Sequence, residues 1–130
     1  MQKKWALRAA TLTLGAGAVI GLGVGSASAA SNLQVGSSGS AVVCLQQALD
    51  YVDSGNLNAD GQFGQLTKNA VVHYQGGHSL NPDGVVGPAT GGSIKSSVRQ
   101  AYDNAHHAGD LDWQRTLGAW MSNCNGQLPG

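Results

Sequence analysis

Every acidic residue of this 130-residue chain is an aspartate: Asp50, Asp53, Asp60, Asp83, Asp103, Asp110 and Asp112 are present and glutamate is not. Glycoside hydrolysis needs two carboxyl groups, one of them a proton donor with a raised pKa, and nothing in the spacing of these seven singles out such a pair. A zinc peptidase of the H-E-x-x-H type needs the missing glutamate. His73, His78, His106 and His107 are the imidazoles. His73 and His78 have no third ligand close in sequence, so all four read as solvated or capping groups, and no metal or other cofactor is implied. The chain has no G-x-S-x-G elbow for acyl transfer. Cys44 would need a base to lower its thiol pKa, and no cysteine-protease signature surrounds it. With Cys124 as the other cysteine, the pair reads as a disulfide tying the first helix to the C-terminal tail.

One motif occurs twice. Asn58, Asp60, Gly61, Gly64 and Thr67 recur as Asn81, Asp83, Gly84, Gly87 and Thr90, a shift of 23 residues, giving the shared text N-x-D-G-x-x-G-x-x-T. A calcium loop would use Asn56, Asn58, Asp60, Gly61 and Phe63, repeated by Ser79, Asn81, Asp83, Gly84 and Val86. Thr67 and Thr90 then stand where the bidentate glutamate belongs, and one carboxylate per loop is too little charge to dehydrate a divalent cation. The other reading is a turn feeding a helix. Asp-Gly supplies a turn with positive φ, the second glycine sits at the helix N-cap, and Pro88 follows at the first helical position.

The elements that would position these turns are helical. After the loop Gly36–Ser40, Val42, Leu45, Leu49 and Val52 fall on one face of a helix. Gln65–Gln75 follows, with Leu66, Ala70, Val71 and Tyr74 on one face. A third segment begins at Pro88 and is weakened at once by Gly91 and Gly92, so a turn or two is expected before Ile94 and Val98 extend it. Leu111, Trp113, Leu117, Trp120 and Met121 make a fourth, amphipathic segment leading into Cys124. No stretch alternates as a strand, and the fold class is all-α.

Residues 1–29 read as a secretory signal peptide. Lys3, Lys4 and Arg8 precede an apolar run from Ala9 to Val24, and Ala27-Ser28-Ala29 is a small-x-small cleavage site. Gly15, Gly17, Gly21, Gly23 and Gly25 interrupt the run, against a membrane-spanning helix. The absence of an Arg-Arg pair favours the general secretion route, and no cysteine follows to carry a lipid anchor. The remainder, 30–130, is sized for one small domain. It holds Lys68, Lys95, Arg99 and Arg115 against seven aspartates. A mildly acidic chain has no electrostatic footprint for nucleic acid, or for a membrane surface once the signal is removed.

A longer pattern now stands out. Leu33-x-Val35-Gly36-Ser37, Gly39-x-Ala41-Val42 and Leu45-Gln46-x-x-Leu49 are followed by Asp60-Gly61-x-Phe63-Gly64-x-x-Thr67-x-x-Ala70-Val71-x-x-Tyr74-Gln75. Asp83-Gly84-x-Val86-Gly87-Pro88-Ala89-Thr90 completes it. From about residue 33 to 94 the chain resembles the bacterial peptidoglycan-binding domain family, type 1. The resemblance implies a small three-helix bundle that holds cell-wall peptidoglycan and is usually attached to a wall hydrolase. Here 95–130 would add a C-terminal helical extension tied by the disulfide. The chain departs from the family at Gly91, where a large apolar residue is usual. Trp113 and Trp120 are expected to fill the gap, which makes the tail part of the core, so that trimming at Ser97 should unfold the chain.

A peptidoglycan site needs a groove with polar groups for hydroxyls and amides, and apolar surface for ring faces. Gln46, Asp60, Phe63, Tyr74, Gln75 and Asp83 are the candidate ligand-binding residues. Each also has a plainer role: the aspartates hold their turns, Phe63 and Tyr74 pack the core, and Gly64 and Gly87 start helices. The reading is a secreted, non-catalytic peptidoglycan-binding protein of the cell wall, with a secreted wall enzyme as a candidate partner. Its rivals are a small wall hydrolase using aspartates or Cys44, and an interaction or inhibitor protein that keeps the fold without glycan binding. Gly91 is the feature that supports the latter.

Overall fold

A computed structural model describes residues 30–130; the expected signal peptide, 1–29, lies outside the described residues. Four helices follow one another: α1 (Ser40–Asp53), α2 (Gln65–Gly77), α3 (Pro88–Ala108) and α4 (Leu111–Cys124). Among the described residues, β-pairing is confined to the isolated bridges Leu33 with Val86 and Ser38 with Gln62. These bridges lace the N-terminal segment across both copies of the repeated motif. Leu33 exchanges both backbone hydrogen bonds with Val86, and the Gly39 amide donates to the Gly61 carbonyl at 3.0 Å.

Glycines open the first three helices. Gly39, Gly64 and Gly87 are the N-caps of α1, α2 and α3, and Pro88 occupies the first turn of α3 as its fixed φ favours. The fourth helix uses a side chain instead. Asp110 caps α4 by accepting from the Trp113 amide at 3.0 Å. Gly61 and Gly84 take φ of 77° and 76°, the left-handed turn that the Asp-Gly text calls for.

The helices close on one apolar cluster. Val42, Leu45 and Leu49 of α1, Val71 and Tyr74 of α2, Ile94 and Val98 of α3, and Leu117 and Trp120 of α4 are buried in it, joined by Leu33, Phe63, Val86 and Leu128. Cys44 and Cys124 form a disulfide with a Cα–Cα distance of 5.5 Å, so α1 is tied to the end of α4. The Trp120 indole Nε1 donates to the Cys44 carbonyl at 2.9 Å, a buried bond beside the bridge.

Three expectations about the elements change. The third helix is not cut short at Gly91 and Gly92: α3 runs unbroken for 21 residues. The glycines cost helix propensity, about 1 kcal/mol each, but Gly91 is buried because the tail lies on it. A β-carbon at Gly91 would collide with the Pro129 carbonyl, and one at Gly130 with the Pro88 carbonyl. The missing bulk is therefore filled by the Leu128–Gly130 tail rather than by the tryptophans. Trp120 sits in the core instead, and Trp113 meets the edge of Tyr51 at a centroid distance of 5.2 Å. Last, Leu66 is not on the buried face of α2. It is 76% exposed, and Thr67 takes the inward place because its hydroxyl is needed there.

Candidate functional site

Each copy of the repeated motif is held by a buried glutamine. Gln46, on α1, aims its amide into the first turn: Nε2 donates to Asp60 Oδ1 at 3.1 Å, the Gln62 carbonyl at 3.0 Å and Thr67 Oγ1 at 3.0 Å. Its Oε1 accepts from the Gly61 amide at 3.0 Å. Gln75, on α2, repeats the set. Its Nε2 donates to Asp83 Oδ1 at 3.1 Å, the Val85 carbonyl at 3.0 Å and Thr90 Oγ1 at 3.0 Å, and its Oε1 accepts from the Gly84 amide at 2.9 Å. One side chain thus pins a left-handed glycine, an aspartate and the first turn of the next helix. A buried amide with every polar atom partnered fixes geometry because each lost partner would cost full desolvation.

The aspartates complete the turns from the outside. Asp60 Oδ1 accepts from the Gln62 amide at 2.9 Å, and Asp83 Oδ1 from the Val85 amide at 2.9 Å. Those backbone N–H groups, and then the Gln46 and Gln75 amides, hold both carboxyls below the ordinary aspartate range against a smaller opposing effect of desolvation. Because the folded values are lowered, the stabilisation is fully present above the unfolded carboxylate pKa near about 4 and is lost as pH falls through the folded values. The urea midpoint should stay level from neutral pH down to about 5 and fall below about 4. The double variant Asp60→Asn, Asp83→Asn should start lower and fall less. A double variant that drops as steeply as its parent would place the acid sensitivity elsewhere.

The six candidate residues divide by access. Gln46, Phe63, Tyr74 and Gln75 are buried, and the polar ones spend their atoms inside. Tyr74 Oη bonds Ser93 Oγ at 2.9 Å and Ser97 Oγ at 2.7 Å, while its ring stacks on His78 at 3.9 Å. Asp60 and Asp83 are exposed. Gln46 with Asp60 and Gln75 with Asp83 form two separate turn clamps, whereas Phe63 packs in the core and Tyr74 reaches α3 through Ser93 and Ser97.

An open cleft lies elsewhere, between the end of α1 and the outer face of α2, with a volume of about 330 Å³. Leu57, Leu66 and Ala70 give it apolar walls, and Asn56, Asn69 and the Asp53–His73 pair a polar rim. His73 Nδ1 lies 2.8 Å from Asp53 Oδ2. Asp50 Oδ1 accepts from the Leu57 amide at 2.8 Å, which fixes a loop where Ser54 and Asn56 adopt positive φ. The cleft exists because the two copies differ. Gln46 precedes Asp60 by 14 residues whereas Gln75 precedes Asp83 by 8, and the excess in the first copy includes Ser54–Leu57, one wall of the cleft. A signal for it was present in the sequence: a leucine at 66 breaks the otherwise polar start of α2.

Residues 38–93 match the model of a protein family described as "Putative peptidoglycan binding domain". The match contains both turn clamps and the cleft. One curated relative is the "Zinc D-Ala-D-Ala carboxypeptidase" of Streptomyces albus G, 42% identical over 87 residues, which cover 65% of this chain and 34% of the relative. The chain thus spans about a third of the length of that protein. No solved structure matches the chain at a significant level.

Proposed function

We propose, on the premise that residues 38–93 form a peptidoglycan-binding domain of type 1, that the chain is a non-catalytic cell-wall protein that holds peptidoglycan in the α1–α2 cleft. The observation that carries this is the placement of the cleft. It lies inside the matched segment, on the loop by which the first copy of the repeat differs from the second. Leu57 and Leu66 offer surface to ring faces and methyl groups, and Asn56, Asn69, His73 and Asp53 offer donors and acceptors for hydroxyls and amides. The buried glutamines, Phe63 and Tyr74 then serve as scaffold.

The chemistry of Cys44, Asp60 and Asp83 supports a binding role over a hydrolytic one. Cys44 Sγ is bonded to Cys124 and offers no thiolate. Asp60 and Asp83 have lowered pKa values, the opposite of what a glycosidic proton donor needs. The carboxypeptidase activity in the relative's name belongs to a protein of which the match covers 34%. Export by the segment 1–29, residence in the wall and service to a separate wall enzyme belong to the same proposal. No helix of the described residues is long and apolar enough to cross a membrane.

The test is retention of the oxidised protein, residues 30–130, on purified insoluble peptidoglycan, with cellulose and chitin as controls and the turbidity of the suspension followed. Retention by peptidoglycan at steady turbidity is expected. Leu66→Ala, at an exposed site where truncation leaves stability within about 0.5 kcal/mol, should weaken retention roughly five- to tenfold. Unchanged retention in that variant would move the site away from the cleft. Clearing of the suspension would make the protein a hydrolase, and no retention at all would end the wall reading.

A further inference from the structure

A larger groove, of about 1260 Å³, runs between α3 and α4. Apart from Ser93 its lining lies wholly beyond the family-matched segment, so it belongs to the C-terminal extension. Its charge is unlike that of the rest of the molecule. Of the four basic residues in 30–130, Lys95, Arg99 and Arg115 line it, and Asp103 is the one aspartate among the lining residues. The remaining six aspartates are distributed elsewhere, against Lys68 alone. The acidic segment 30–130 has thus gathered three of its four cations along one concave surface.

Two of the three cations are open to a ligand. Arg99, on α3, is exposed and takes part in neither of the ion pairs found among the described residues. Arg115, on α4, touches Asp112 at 3.2 Å, but the two side chains are 77% and 95% exposed. A pair this exposed contributes little and yields to a better acceptor. Lys95 is occupied by the Gly130 carbonyl and helps to hold the tail. Tyr102, whose ring lies against Gly118, and Met121 line the same groove. Guanidinium groups contributed by two helices to one groove with low-dielectric walls focus a positive field, and their planar forks match carboxylates in two-point hydrogen bonds.

We propose that this groove is a second wall-binding site that takes the free carboxylates of peptidoglycan stem peptides, with Arg99 and Arg115 as the carboxylate-binding residues. The proposal rests on the wall reading above, and it adds a cationic contact to the cleft on α1 and α2, which no Lys or Arg lines. One polymer engaged at both sites is held more tightly than either alone permits, since the second contact is intramolecular.

Retention tests it on three supports: peptidoglycan stripped of phosphate-containing polymers, the same material with its carboxyls amidated, and unstripped wall. On the stripped support the variant Arg99→Gln, Arg115→Gln should bind roughly tenfold more weakly than wild type. Lys68→Gln removes one positive charge outside the groove and should stay within about twofold. Arg99→Lys with Arg115→Lys keeps charge without the fork and should fall between. Amidation should erase the difference between wild type and the Gln variant, as should salt near about 1 M, where the screening length falls to about 3 Å. Equal retention of wild type and Gln variant on stripped peptidoglycan, or a difference that survives amidation, overturns the proposal. A difference confined to unstripped wall also overturns it, by making the anion a phosphate. If wild type is not retained on any support, the wall reading itself fails; if the groove variant alone is unaffected, the cleft reading survives without the groove.

Discussion

A chain that ends at Ser97 is expected not to fold, and one that ends at Gly109, keeping α3 whole, is expected not to fold either. Both lose Leu117, Trp120 and Leu128, which are buried among residues of the other elements. Burying a large apolar side chain contributes about 1.5–3 kcal/mol. Both also lose the Cys44–Cys124 bridge, whose sequence separation of 80 gives it about 3–5 kcal/mol in the chain-entropy account. The Trp120 bond to the Cys44 carbonyl goes with them. Together these reach on the order of 10 kcal/mol, comparable with the whole net stability of about 5–15 kcal/mol of a small domain. The expected result is a far-ultraviolet circular dichroism spectrum without the helical signal and no cooperative melt. A chain stopped at Gly109 that melts as the full one does would show that the first three helices stand alone and the tail is an appendage. Replacing both cysteines by serine separates the two contributions, because packing is kept and only about 3–5 kcal/mol should be lost.

The helices were legible where apolar spacing and punctuation agreed. Gly64, Gly87 and Pro88 mark starts that the structure keeps, and Val42, Leu45 and Leu49 form the inward face of α1. Legibility failed where a long-range contact reverses a local preference. Gly91 and Gly92 weaken a helix judged alone, and nothing within a few residues of them says that Pro129 will lie on the first turn of α3. Leu66 failed for the complementary reason. Apolar character suggested the core, but the neighbouring Thr67 had the stronger claim, since its hydroxyl completes the Gln46 clamp and Leu66 can offer that amide nothing.

The site was legible in part for a related reason. A fixed shift of 23 residues aligns the aspartates, glycines and threonines of the two copies but not the glutamines that serve them. Gln46 and Gln75 sit 14 and 8 residues before their aspartates, so the repeat that the fold uses is broken in the text. Four of the six named residues are therefore gathered into two turn clamps, each with an aspartate at the surface and a glutamine beneath it, while Phe63 and Tyr74 pack in the core. The cleft residues carry no motif. They become neighbours only when the loop after α1 folds back over the exposed start of α2.

That repeat makes a quantitative prediction about the glutamines. Gln46→Leu preserves bulk and removes every hydrogen bond of the amide. Asp60 and the Gln62 carbonyl can turn to water, but the Gly61 amide and Thr67 Oγ1 take part in buried bonds and are left without that partner. At about 1–3 kcal/mol for each stranded group, the variant should lose about 2–6 kcal/mol in urea unfolding. Gln75→Leu strands the Gly84 amide and Thr90 in the same way, and so its loss should agree with the first within about 1 kcal/mol. Gln46→Glu discriminates further. A carboxylate there faces Asp60 Oδ1, the Gln62 carbonyl and Thr67 with no proton to give, so its folded pKa is raised and the protein should be least stable at neutral pH. Stability should recover as pH falls through that raised value, before the turn aspartates themselves begin to protonate. Near-wild-type stability in both leucine variants, together with lost retention on peptidoglycan, would return the glutamines to the binding surface; lost stability, with retention of the remaining folded fraction unchanged, assigns them to the frame that holds the cleft in place.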